Sequence, residues 1–137
     1  MSQVVVDASI ALAWCFPDET SDYADAVLVS LEGKTLLAPA VWSLEIANAV
    51  LAGERRKRLG PSEIRQFTSL LESLSLVQDL RPVASHVNDV LPLARKHGLS
   101  AYDAAYLELA IRHRAPLSTL DEKLRRAAKV AGITIFK

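Results

Sequence analysis

A single cysteine, Cys15, in 137 residues leaves no material for a disulfide framework or a thiolate zinc cluster. The 16 basic and 16 acidic side chains cancel to a formal net charge of zero. No global field therefore draws the chain to nucleic acid, although a local basic patch can still act. No apolar run approaches the length of a membrane span. No basic segment precedes the first apolar stretch, and Asp7 cuts that stretch short, so a signal peptide is not expected. His86, His97 and His113 show no ligand spacing and read as surface or helix-end residues. A reducing, cytoplasmic setting without membrane contact is the expectation. What remains is a chain 50% hydrophobic and 23% charged, which reads as one globular domain over residues 1–137 with a real core.

Short apolar runs alternate with longer helical patterns. The runs are Val4–Val6, Thr35–Ala38, Leu74–Val77, Pro116–Ser118 and Ile133–Phe136. They do not alternate with polar residues, which suggests strands buried on both faces of a parallel sheet. Residues 21–31, 41–58, 62–73, 83–96, 101–113 and 121–131 carry apolar side chains at helical spacing. Gly60-Pro61 stops one helix, and Gly98 after Lys96-His97 stops another. The pattern predicts a three-layer α/β/α sandwich, a fold class that binds ligands beyond the carboxyl ends of its strands.

Four acids interrupt or close apolar segments: Asp7, Glu45, Asp103 and Asp121. Each has an ordinary reading. Asp7 suits a helix N-cap, Ser100 and Asp103 have the spacing of a capping box, and Asp121 suits a first helical turn behind Thr119. Glu45 and Asn48 form an i, i+3 pair on a helix otherwise rich in Ala, Leu, Ile and Val, too narrow for a solvated face. An unpaired buried carboxylate costs several kcal/mol. Four of them at the edges of a core are accounted for together if they gather around a cation, which relieves their mutual repulsion. Oxygen-only ligands point to Mg²⁺ or Mn²⁺ rather than zinc or copper.

These residues resemble a known family. Val4-Val5-Val6-Asp7-Ala8-Ser9, Glu45-Ile46-Ala47-Asn48-Ala49, Gly98 to Tyr106 and Ser118-Thr119-Leu120-Asp121-Glu122-Lys123-Leu124 are similar, in order and over nearly the whole chain, to the four motifs of PIN domains. The compact length resembles VapC-type toxins of toxin–antitoxin pairs. The resemblance implies a five-stranded parallel sheet between helices and a metal-dependent ribonuclease. It implies Asp7, Glu45, Asp103 and Asp121 as the catalytic, metal-holding set, with Ser9, Asn48 and Thr119 lining the site. It also implies hydrolysis leaving a 5′-phosphate and a 3′-hydroxyl, a small antitoxin as partner, and a homodimer.

Two further stretches stand out. Arg55, Arg56, Lys57 and Arg58 form the densest basic run, either a complement to a helix C-terminus or a contact for RNA phosphates that Arg125, Arg126 and Lys129 extend. Trp14-Cys15-Phe16 reads as core or as a protein-binding surface, here the candidate antitoxin contact. Two rival functions are weighed. A phosphoryl-accepting signalling domain needs adjacent acids after the first strand, and Asp7 is followed by Ala8 and Ser9. A non-catalytic module of the same fold has no need of an intact acidic set.

Overall fold

The computed structural model describes residues 2–137. Strand β1 (Gln3–Val6) lies in the middle of the sheet, and its three β-branched valines are fully buried, as a strand covered on both faces requires. It pairs in parallel with β2 (Thr35–Pro39) on one side, Val4 opposite Leu36, and with β4 (Leu117–Ser118) on the other, Val5 opposite Leu117. Strand β3 (Leu76–Asp79) pairs with the outer side of β2, giving the order β3-β2-β1-β4.

Four strands replace the expected five among the described residues. The segment 133–136 meets β4 at one bridge, Leu117 with Ile135, held by Leu117 N–H to Thr134 O and Phe136 N–H to Leu117 O. The reason is the length of β4. Pro116 precedes its two residues, and Thr119 leaves the strand to serve Asp7, so no ladder has room to grow. Strand β3 begins two residues later than the sequence suggested. It is an edge strand with Leu76 and Val77 exposed rather than buried.

Helix α1 (Ala8–Cys15) is an element the periodicity did not reveal. Its eight residues are apolar or small and carry no charge, so they show no amphipathic stripe. The cause is its location, packed against α2 (Asp22–Ser30), α3 (Val41–Arg55) and α4 (Pro61–Ser73). Helix α6 (Ala101–His113) lies against β1, β2 and β4, flanked by α5 (Val83–His97) and α7 (Glu122–Val130). Residues Ala104 to Ala110 of α6 are all buried, the pattern of a helix inside a structure rather than on it.

Phe16 is core, the first of its two readings, and not a docking surface. Its ring lies so close to Gly53 of α3 that a Cβ there would stand 2.6 Å from it, and the Arg58 guanidinium stacks over it at 4.3 Å from the centroid. Trp14 is half-buried and donates its indole N–H to the Ala24 carbonyl at 2.8 Å. The basic run also divides. Helix α3 ends at Arg55, not at residue 58, and Lys57 turns the chain with φ 58°. Arg58 is committed to Asp18 and Glu19, at 2.9 and 3.1 Å. Only Arg55, Arg56 and Lys57 are freely exposed, ten or more residues along from Glu45, about 15 Å at the rise of a helix.

Candidate active site

The chain runs from β1 outward to β2 and β3, then returns to the other side of β1 as β4. The strand order therefore reverses between β1 and β4, and at such a switch point the connections diverge and leave a crevice beyond the strand ends. Asp7 stands at the end of β1, and Thr119 and Asp121 follow β4. Glu45 and Asn48 from α3 and Asp103 from the first turn of α6 face the same crevice. Asp7, Ala8, Ser9, Leu12, Glu45, Asn48, Asp103 and Asp121 line a cleft of about 340 Å³. The structure thus brings all four acids together, with Ser9 and Asn48.

Asp7 is the most buried of them, 5% exposed. It occupies the N-cap position of α1, yet its side chain makes no capping bond. Instead its Oδ2 accepts from Ser9 Oγ at 2.9 Å and from Thr119 Oγ1 at 2.5 Å. Thr119 is fully buried behind the cleft and supports Asp7 rather than capping α7. Asp121 takes that cap itself, its Oδ1 accepting from the Lys123 and Leu124 N–H groups. Ser100 caps α6 by accepting from the Asp103 N–H at 3.1 Å. Arg125 is no outlying phosphate ligand: half-buried, it donates to the Thr119 carbonyl at 2.8 Å and lies over the Tyr23 ring.

The electrostatics bear the mark of crowded acids. Burial raises Asp7 above its ordinary value, against the lowering effect of the Thr119 and Ser9 bonds, and Asp121 raises it further. Burial also raises Asp103, assisted by the charges of Asp7 and Asp121. Burial raises Glu45 too, opposed by a hydrogen bond from Tyr106 and reinforced by Asp7 and Asp103. Such mutual elevation signals a place where positive charge is welcome.

No three His, Cys, Asp or Glu side chains among the described residues converge tightly enough to enclose an ion by themselves. Glu45 has one oxygen bonded to Tyr106, and Asp121 has one in the helix cap. This donor set still fits Mg²⁺ or Mn²⁺. Mg²⁺ keeps several waters and binds through one or two carboxylates, not in an all-protein cage.

Tyr106 was missed by sequence reasoning. It is fully buried and donates its hydroxyl to Glu45 Oε1 at 2.5 Å. A signal was present: Tyr106 lies three residues after Asp103, hence on the same face of α6, and is the polar-tipped aromatic within an otherwise Ala- and Leu-rich turn.

The PIN domain family model matches residues 4–130. The chain belongs to the PIN-domain family. Within it, the chain is similar to Ribonuclease VapC3 of Pyrobaculum aerophilum, with 32% identity over 122 residues, 89% of this chain and 92% of that protein. It is 35% identical over 128 residues to Ribonuclease VapC3 of Mycobacterium tuberculosis, 91% of this chain and 87% of the relative. The fold is shared with VapBC2 from Rickettsia felis, solved bound to a promoter DNA fragment, at a TM-score of 0.68 and 12% identity over 98% of this chain and 97% of that one.

The elevated acids make a stability prediction. Because folded Asp7 holds its proton more tightly than the ordinary value of 3.8, the folded state binds more protons than the unfolded chain between the two values. Its contribution to metal-free stability therefore falls as pH rises through that window and stays low above it. Asp7→Asn removes the penalty and keeps an oxygen for Ser9 and Thr119. In chelator, the variant should melt above wild type near pH 7, and the gap should close as pH falls toward 3.8. Calorimetric melting at several pH values checks this; a gap that widens on acidification contradicts it.

Proposed function

We propose that this chain is a metal-dependent endoribonuclease, a hydrolase acting in the cytoplasm as the toxin of a toxin–antitoxin pair. The observation that carries the reading is the convergence of Asp7, Glu45, Asp103 and Asp121 on one cleft at the β1–β4 switch point. The two VapC ribonuclease relatives support the substrate class. Among the described residues no helix is long and apolar enough to cross a membrane.

Asp7, Glu45, Asp103 and Asp121 would hold one or two Mg²⁺ or Mn²⁺ ions. When bound, a divalent cation would supply activation of water at neutral pH and positive charge to offset that of the phosphodiester. The protein's part is to fix the acids. Ser9 and Thr119 load one oxygen of Asp7 and leave the other for the cation. Ser100 and Asp121 fix the helix starts that carry Asp103 and the β4–α7 turn. Asn48, exposed beside Glu45 at the rim of the cleft, offers donors and acceptors to the nucleotide. Arg55, Arg56 and Lys57 contact RNA phosphates away from the scissile bond.

The partner is a small antitoxin, and the chain forms a homodimer. An arginine from the antitoxin that reaches Asp7 and Asp103 competes with the cation for the same oxygens. The test is expression of the full chain with and without the adjacent small reading frame. Growth arrest is expected only without it, and should vanish in Asp7→Ala. Equal growth in both cases, with strong expression and no Mg²⁺-dependent cleavage of RNA by the purified protein, overturns the reading in favour of a binding module.

A further inference from the structure

Tyr106 lies buried beside the cleft and links α6 to α3. It belongs to α6, one turn beyond Asp103, and is 0% exposed. Its hydroxyl donates to Glu45 Oε1 of α3 at 2.5 Å. A phenylalanine would fill the same apolar slot. A buried hydroxyl is unfavourable unless bonded, so what the tyrosine adds over phenylalanine is this bond to Glu45.

We propose that Tyr106 is the positioning residue of the acidic site, holding one oxygen of Glu45 so that the other is presented to the divalent cation in the cleft. The inference rests on the nuclease reading above and deepens it. Glu45 is only half-buried and hangs from α3 by three rotatable bonds. The hydrogen bond from Tyr106 ties Glu45 to α6, the helix that bears Asp103. Partners of this kind, one step removed from the ion, typically control metal affinity or activity by 10- to 100-fold.

The test is Mn²⁺ titration calorimetry on the full chain free of antitoxin, alongside cleavage of a single-stranded RNA at varied Mn²⁺. Tyr106→Phe should stay folded and weaken Mn²⁺ binding roughly 10- to 100-fold. The Mn²⁺ concentration for half-maximal cleavage should rise by the same factor, with the RNA KM unchanged and the rate at saturating Mn²⁺ close to wild type. In a Glu45→Gln background the same substitution should change Mn²⁺ affinity less than about twofold, because the two residues act as a unit. Tyr102→Phe, on the exposed side of the same helix, should leave every value unaltered. A second readout uses the wild type: the Tyr106 hydroxyl proton should give a slowly exchanging NMR signal that shifts when Mg²⁺ is added. Wild-type Mn²⁺ affinity in Tyr106→Phe, an equal effect in both backgrounds, or a hydroxyl signal indifferent to Mg²⁺ each overturns the inference and leaves the nuclease reading standing. Failure of the wild type to bind Mn²⁺ and to cut RNA overturns both.

Discussion

Asp7→Ala and Asp103→Ala should each reduce Mg²⁺-dependent RNA cleavage by about a thousandfold or more while leaving the far-ultraviolet circular dichroism intact. Losing a ligand that places the cation removes several kcal/mol of transition-state stabilisation, and about 4 kcal/mol corresponds to about a thousandfold in rate. The fold survives because both substitutions also relieve crowding: burial and neighbouring carboxylates already disfavour the charge at each position. Asp121→Ala should differ in kind. Its Oδ1 caps α7, so its loss costs about 1 kcal/mol of stability and a smaller share of activity. Single-turnover cleavage of a labelled RNA, with urea unfolding of each variant, separates these effects. Cleavage within tenfold of wild type in both Asp7→Ala and Asp103→Ala would remove the acids from the mechanism.

The largest stability effect lies away from the site, at Glu108 of α6. This carboxylate is buried and receives two guanidinium groups. Arg81 Nη2 donates to Oε1 at 2.9 Å, and Arg112 Nε donates to Oε2 at 3.0 Å. Arg81 also binds Asp89 of α5 at 2.6 Å, and Arg112 binds Asp79 at the end of β3. The network fastens the edge strand and α5 to the central helix. Removing one member of a buried ion cluster costs about 3–5 kcal/mol, because the remaining charge stays buried and under-compensated. Arg81→Met should therefore lower the unfolding free energy by about 3 kcal/mol, the low end, since Arg112 still serves Glu108. Replacing Arg81, Glu108 and Arg112 together by apolar residues should recover most of that loss. Urea denaturation gives the comparison; an Arg81→Met midpoint equal to wild type would make the cluster ornamental.

The acids were legible from the sequence because each broke an apolar pattern, and that anomaly survives without knowledge of the fold. Their companions were less so. Thr119 had the spacing of a helix cap, and only the closure of β4 beside β1 turns it toward Asp7. Tyr106 and Glu45 are 61 residues apart, and Arg81 and Glu108 are 27 apart, distances over which no local spacing rule operates. Helix α1 lacked periodicity because it is covered on several sides. Segment 133–136 carried the β-branched and aromatic residues of a strand, but its neighbour was two residues long. Phe16 carried both a core and a docking reading, and its ring packed against Gly53 decides for the core.

The bond from Thr119 to Asp7 spans 112 residues of chain. A ribosome making this protein delivers the first acid 112 residues before the threonine that orients it. A truncated or still-growing chain thus carries Asp7, Glu45 and even Asp103 without the β4 turn that holds the first of them in place. Thr119 reaches Asp7 only when β4 docks beside β1. Folding of the site therefore waits on a pairing between distant parts of the chain, and a chain cut before β4 presents its acids unsupported.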